Sequence, residues 1–221
     1  MTTRIILTRH GHVEGIEPRR FRGRQDIPLT DVGQAQAEAT ARKIAELWRP
    51  TVVLTSPLNR CVTTGAAIGE ECGAPSRILD SLIEIDYGEW QWKTHEEISR
   101  AFPELYAKWL STPHLFRFPR GESLQELVAR VADALRYVLQ KYRDRTVVLV
   151  GHNTICRVLM MQVLDQPISA YWRLHFQPCG ISEIEFIGEV ARVLRVNETF
   201  HLPAAPNADP RALAASAAPA Q

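Results

Sequence analysis

The sequence predicts an α/β fold organised on a mostly parallel sheet. Three short, β-branched apolar runs recur along it: Arg4-Ile5-Ile6-Leu7, Thr51-Val52-Val53-Leu54 and Thr146-Val147-Val148-Leu149-Val150. Each has the composition of a buried strand. Each runs into a polar turn, and after each turn a helical segment begins. Strand–turn–helix units in series give parallel strands joined by crossover helices. The C-terminal ends of such strands share one sheet edge, where open α/β sheets bind their ligands.

The elements follow in order. The first strand ends in Thr8-Arg9-His10-Gly11. A loop from Glu14 to Gln25 carries Arg19, Arg20, Arg22 and Arg24. It is either a solvated basic loop or one that overhangs an anionic ligand. Thr30 is a plausible N-cap for an Ala-rich helix running to about Leu47, with Ala35, Ala39, Ile44 and Leu47 as a rough apolar stripe. Pro50 ends it. The second strand ends in Thr55-Ser56-Pro57, and Leu58 to Gly69 reads as the next helix. Arg77-Ile78-Leu79 suits a short strand, and Leu82 to Trp92 is irregular. Thr94 to Leu110 is helical but broken by Pro103, and Ser111 to Gly121 is a loop. Ser123 with Glu126 forms a capping-box pattern at the head of the clearest helix, which runs to Tyr142. Its apolar face is Leu124, Leu127, Val128, Val131, Leu135, Val138 and Leu139. The third strand ends in Gly151-His152-Asn153, and Thr154 to Leu164 is the helix after it. Ile181–Ile187 and Val190–Val196 flank Gly188 as a closing hairpin. From Pro203 the composition collapses to Ala, Pro and small polar residues. Residues 203–221 therefore read as a disordered tail after a domain spanning residues 1–202.

Bulk properties exclude several classes of function. The net charge of +1 gives no global electrostatic case for nucleic acid or a membrane surface. No apolar stretch approaches the ~20 residues needed to span a bilayer, and Arg4 and Arg9 interrupt the N-terminal apolar run, so no leader is expected. Cys61, Cys72, Cys156 and Cys179 form no Cys-x-x-Cys pair, which favours a reduced, cytoplasmic setting.

The three strand-end turns pool Arg9 and His10, Ser56 through Arg60, and His152. Glu84 is one of the carboxylates of the irregular segment. A guanidinium can hold a phosphate through two parallel hydrogen bonds, and a histidine can act as acid, base, ligand or nucleophile. Two arginines and two histidines would surround a tetrahedral dianion, which is equipment for phosphoryl transfer. Each residue has a plainer reading. His152 could cap a helix start, Arg60 could be a surface helix arginine, and Glu84 could be one solvated carboxylate beside Asp86 and Glu89. Gly11 could serve a close backbone approach or a backbone conformation closed to other residues.

Arg9-His10-Gly11, Ser56-Pro57-Leu58-Asn59-Arg60, the stretch Leu82 to Trp90 and Gly151-His152-Asn153 occur in order. Phe21-Arg22-Gly23-Arg24-Gln25-Asp26-Ile27-Pro28-Leu29-Thr30 and Gly121-Glu122-Ser123 accompany them. Together they resemble the histidine phosphatase superfamily, the phosphoglycerate mutase-like family, over roughly Arg4 to Val196. The nearer likeness is to its α-ribazole-phosphate phosphatase-like and broad-specificity members.

The resemblance implies a three-layer α/β/α sandwich around a mostly parallel sheet, with residues 92–121 as an insertion over the site. It implies that His10 is the nucleophile that becomes phosphohistidine, that Arg9, Arg60 and His152 clamp the phosphoryl oxygens, and that Glu84 is the general acid. Arg22 and Gly23 join Arg9, Arg60 and His152 as substrate-binding residues. The implied substrate is a small phosphorylated metabolite, with no cofactor, metal, nucleic acid or membrane, and with room for a homodimer.

The chain departs from many relatives just after Arg-His-Gly, where it has His12 and Val13. The segment after Glu84 is short and acidic and has no Arg-His-Tyr-Gly-like run, which favours a phosphatase over a phosphoglycerate mutase. Two other functions are weighed. One is a metal-dependent hydrolase using His10, His12 and His152, although two arginines beside a divalent cation disfavour it. The other is a non-catalytic phosphate-ligand module on the same fold. The aromatic and basic residues Trp109, His114 and Phe116 of the insertion could choose the leaving group or form the insertion's own core.

Overall fold

A computed structural model describes residues 2–203. The expected tail lies outside them from residue 204 onward. Six strands form one sheet: β1 (Thr2–Arg9), β2 (Val52–Thr55), β3 (Ser76–Ile78), β4 (Thr146–Gly151), β5 (Ile181–Ile187) and β6 (Val190–Glu198). Their spatial order is β3-β2-β4-β1-β5-β6. The first four are parallel, and the closing hairpin adds two antiparallel strands at one edge.

The period-2 alternation of the central strands sorts the core into two layers. Ile5, Leu7, Val52, Leu54, Val147 and Leu149 face one side. There they meet α5 (Leu124–Lys141) and α6 (Asn153–Val163). Ile6, Val53, Val148 and Val150 face the other side. There they meet α1 (Asp31–Leu47) and α2 (Asn59–Cys72). Burial on both faces is why these strands read as near-continuous apolar runs. The result is the expected three-layer sandwich.

The cap signals are borne out. The Thr30 side chain accepts from the Gly33 amide at the start of α1. Ser123 and Glu126 form a reciprocal capping box on α5. Pro103 splits the region after Trp92 into α3 (His95–Ala101) and α4 (Pro103–Ser111), and Pro103 supplies the first residue of the second helix.

One detail of α1 differs from expectation. Its buried residues are Gly33, Ala37, Ala39, Thr40, Ala41 and Ile44, whereas Ala35 and Leu47 face solvent. In an alanine-rich helix the apolar stripe has little contrast, and the small residues that admit close packing on α2 decide the buried face.

The aromatic residues of the insertion are core. Trp109, Phe116 and Phe118 are buried in the same cluster as Trp90, with Trp109 and Phe118 ring centroids 4.8 Å apart. They hold the insertion against the body of the domain. Among the described residues, no helix is long and apolar enough to cross a membrane.

Candidate active site

Sheet register brings the candidate residues together. Arg9 is paired with Gly151 across β1 and β4, and Thr55 with Val150 across β2 and β4. The next residue in each strand is therefore His10, His152 or Ser56. Backbone bonds continue the ladder into these turns: the His10 amide donates to Gly151 O (3.0 Å) and the Ser56 amide to Val150 O (3.1 Å). Residues about fifty and ninety positions apart thus meet at one edge because their strands end level.

His10 is buried, and its Nδ1 lies 2.7 Å from the carbonyl oxygen of Gly11. A carbonyl only accepts, so the proton sits on Nδ1 and the Nε2 lone pair is left free. Burial pushes the His10 pKa well below its ordinary range, and the charges of Arg60, His152 and Arg9 push the same way. The ring is held neutral. Its neighbour is His152, with ring centroids 5.2 Å apart and planes 63° from parallel.

The plainer readings of His152 and Arg60 do not hold. His152 occupies the N-cap position of α6, but its side chain caps nothing. Its Nε2 instead meets Ser56 Oγ at 2.7 Å, and its Nδ1 receives Arg60 Nε at 3.3 Å. Cys61 Sγ sits beside the same ring, 3.4 Å from Nε2. Arg60 is 1% exposed although it opens a helix. Its Nη1 donates to Gln25 O and its Nη2 to Gly23 O, each at 2.7 Å. Gly23 therefore contributes a carbonyl that fixes Arg60. Gly23 also has φ +48°, a left-handed conformation that suits glycine.

Arg9 is buried, with Nη1 donating to Phe176 O at 2.8 Å and Nε without a partner among the described residues. Burial first, and Arg22 second, lower its pKa to about 9. Arg22 donates to Gly15 O and lies within electrostatic range of Arg60 and Glu84. The basic loop is therefore turned inward in part. Arg20 donates to Trp92 O (2.8 Å) and Arg24 Nε to the Glu84 carbonyl (3.2 Å).

Glu84 is 7% exposed, unlike the solvated carboxylate it could have been. Its Oε1 accepts from the Ile85 amide at 2.9 Å. Burial raises its pKa from the ordinary carboxylate value, opposed by that amide and by Arg60, Arg22 and Arg9. The segment that carries Glu84 is fastened from behind. Arg130 donates to the carbonyls of Ser81 and Ile83 and forks onto Glu122. Glu122 also accepts from the Asp86 amide at 3.2 Å. A β-carbon at Gly88, where φ is +51°, would lie 2.1 Å from Pro119 O. The Gly121-Glu122-Ser123 landmark thus acts as the anchor of the Glu84 segment.

Gly11 serves a close backbone approach. A β-carbon there would lie 2.4 Å from the carbonyl oxygen of Gly33, and one at Gly33 would lie 2.1 Å from His12 O. The loop after His10 crosses the first turn of α1 at this pair of glycines. His12 Nδ1 meets Thr30 Oγ1 at 2.9 Å, and Val13 is buried with Leu29, Ala37 and Cys179. The two departures from the usual pattern thus brace the loop from outside. Among the described residues, no three His, Cys, Asp or Glu side chains are grouped to hold a metal ion.

Sequence reasoning did not single out Arg157, Tyr171 or Phe176, which also border this edge. Tyr171 and Phe176 come from a segment with no strand or long helix, so no periodicity marked them. Arg157 had one available signal, its place five residues after His152 on α6.

The family model of the histidine phosphatase superfamily, branch 1, matches residues 5–199. The chain belongs to this superfamily. The chain is 32% identical over 201 residues to the bifunctional protein Rv2228c of Mycobacterium tuberculosis, covering 90% of this chain and 55% of that one. It thus spans about half the length of the mycobacterial relatives it matches. It is 30% identical to phosphoserine phosphatase 1 of Hydrogenobacter thermophilus, covering 90% of this chain and 94% of the relative. Among solved structures, Bacillus stearothermophilus YhfR superposes with a TM-score of 0.86 at 27% identity, covering 91% of this chain and all of that one.

The buried histidines predict acid sensitivity. The folded pKa values of His10 and His152 lie below the unfolded value of about 6.5, so the unfolded chain takes up protons that the folded chain refuses. Stability is then full above that pH and is lost as pH falls below it. Each of the two histidines contributes about 1.4 kcal/mol per pH unit until its folded pKa is reached. Denaturant melts at pH 7.5, 6.5 and 5.5 are expected to show a midpoint that drops mainly over the last step. In His10→Gln that drop is smaller.

Proposed function

We propose that this chain is a phosphatase that hydrolyses a small phosphomonoester through a phosphohistidine on His10. The observation that carries this reading is the His10 ring. It is neutral, its Nδ1 is fixed on Gly11 O, and its Nε2 is free beside Arg9, Arg60 and His152. The phosphatase-named relatives support the same class of reaction.

In the first half-reaction His10 Nε2 attacks phosphorus in line. A P–N bond forms, the P–O bond to the alcohol breaks, and the departing alkoxide takes the proton of Glu84. Arg9 and Arg60 hold the phosphoryl oxygens as charge shifts among them. His152 has Arg60 Nε on one ring nitrogen and the Ser56 hydroxyl on the other. When a phosphoryl oxygen takes the place of His152 Nδ1 as acceptor for Arg60, the ring changes tautomer by exchange with solvent: Nε2 gives up its proton and accepts from the Ser56 hydroxyl, and Nδ1 takes one up and donates to the ligand. In the second half-reaction the Glu84 carboxylate takes a proton from water, whose oxygen attacks phosphorus. The P–N bond breaks and His10 is restored. No step requires a metal ion. A raised Glu84 pKa keeps the acid form present to higher pH, which suits the first half-reaction.

The test compares two leaving groups in wild type and Glu84→Gln. An alkyl phosphate needs a proton on its leaving oxygen, whereas p-nitrophenyl phosphate does not. The variant is expected to slow the alkyl phosphate by about 10²-fold or more and phosphorylation by p-nitrophenyl phosphate far less. Equal slowing of both would remove Glu84 as the acid. Absence of phosphate release from either substrate in wild type would remove the phosphatase reading.

A further inference from the structure

Arg157 is a buried cation that the proposed reaction does not use. It lies on α6, one turn and a half beyond His152, and is 7% exposed. Among the described residues it makes no ion pair, and its Nε has no hydrogen-bond partner. Its guanidinium lies 4.9 Å from the Tyr171 ring centroid and 5.2 Å from that of Trp172. The two rings meet edge to face, 4.8 Å apart, and form a wall against which the cation rests. Tyr171 is tied in turn to Thr154 of α6, its hydroxyl 3.2 Å from Thr154 Oγ1.

This wall adjoins the phosphoryl site. Arg9 donates to Phe176 O from the same segment, and Arg9 and Arg157 sit within electrostatic range of each other. Tyr171 and Tyr87 both feel the charge of Glu84, the group beside the leaving alcohol in the proposed reaction. The neighbourhood of Glu84 thus presents two phenols, a threonine hydroxyl and a guanidinium that is bonded to the Tyr171 hydroxyl and has no carboxylate partner among the described residues.

Charge balance points the same way. Arg9, Arg22, Arg60 and Arg157 make no ion pair among the described residues; Glu84 is within electrostatic range of Arg9, Arg22 and Arg60, and Asp26 is within range of Arg60. With Glu84 protonated as an acid, a phosphoryl dianion together with Asp26 still leaves one of the four cations without a countercharge. Burying an uncompensated cation is costly, which favours a ligand that carries further negative charge.

We propose that Arg157, backed by Tyr171 and Trp172, is a subsite for a second anionic group on the substrate's leaving portion. The substrate class is then a phosphomonoester of an alcohol that also bears a carboxylate or a second phosphate. This rests on the phosphoryl site being where the proposed function puts it, but its test does not rest on turnover.

The test measures binding of two non-hydrolysable ligands matched in length, propylphosphonate and 3-phosphonopropanoate, by calorimetry. Propane-1,3-diphosphonate is the arm that separates a second phosphate-like group from a carboxylate. Wild type is expected to bind one of the two doubly anionic ligands at least about tenfold more tightly than propylphosphonate, and whichever it is identifies the group. In Arg157→Met that gap closes, while Arg157→Lys keeps part of it. No gap in wild type overturns the proposal without need of any variant. A gap that survives in Arg157→Met, or an equal loss of all three ligands there, assigns Arg157 a packing role instead. A gap found in a protein that hydrolyses no phosphomonoester keeps the subsite and removes the phosphatase reading.

Discussion

His10→Ala is expected to abolish phosphate release, with turnover down by at least about 10³-fold, because it removes the nucleophile of the first half-reaction. The loss should be independent of leaving group, since an alkyl and an aryl ester need the same P–N bond. Stability should change little by comparison. The ring gives up one hydrogen bond to Gly11 O, a net loss of about 1 kcal/mol, and a cavity beside the His152 ring. Thermal melts of the variant would separate a folded, inactive protein from an unfolded one. Phosphate release at the wild-type rate would remove His10 from the mechanism.

Arg60→Met should lose both activity and stability. The guanidinium is one arm of the proposed clamp, and removing one such donor costs about 10²–10³ in rate. It is also the strut of the loop that contains Arg22 and Gly23. Its three bonds reach Gly23 O, Gln25 O and His152 Nδ1, and methionine fills the space without replacing any of them. Leaving buried acceptors unpaired costs about 1–3 kcal/mol each. A lower denaturation midpoint together with a fall of at least about 10²-fold in kcat/KM is therefore expected. Because the loop loosens as well, weaker binding of inorganic phosphate should accompany both. An Arg60→Met protein with unchanged phosphate affinity would show that Arg60 is a strut alone.

The parts of this molecule that were legible in the sequence are those with strong local physics. The three central strands are apolar on both faces, so they stand out as uninterrupted runs. Thr30 and Ser123 announce their helices because a hydroxyl before an orphan amide is a local event. Arg9, His10, Ser56, Arg60 and His152 could be pooled because parallel strands end on one edge.

Other features depended on distant partners. Whether Arg60 was a surface residue or a buried one turned on the carbonyls of Gly23 and Gln25, about thirty-five residues upstream. Gly11 and Gly33 have meaning only across the loop–helix crossing, since Gly11 leaves room for the Gly33 backbone and Gly33 for the His12 backbone. Leu47 belongs to the apolar stripe of α1 by sequence yet faces solvent, because alanine gives a weak stripe and the partner helix selects the buried face. Arg157 had only its spacing from His152 to mark it, since a helix arginine facing solvent and one stacked on Tyr171 and Trp172 look alike in sequence.

In the proposed reaction His10 carries the phosphoryl group covalently. Glu84→Gln is the protein in which to look for it, since a phenolate leaves without help and the water step is slowed. After rapid mixing of this variant with p-nitrophenyl phosphate and quenching in base, peptide mapping is expected to place an acid-labile, base-stable phosphate on His10, attached at Nε2. A burst of p-nitrophenolate without any phosphorylated His10, or phosphate found on another residue, would contradict the account.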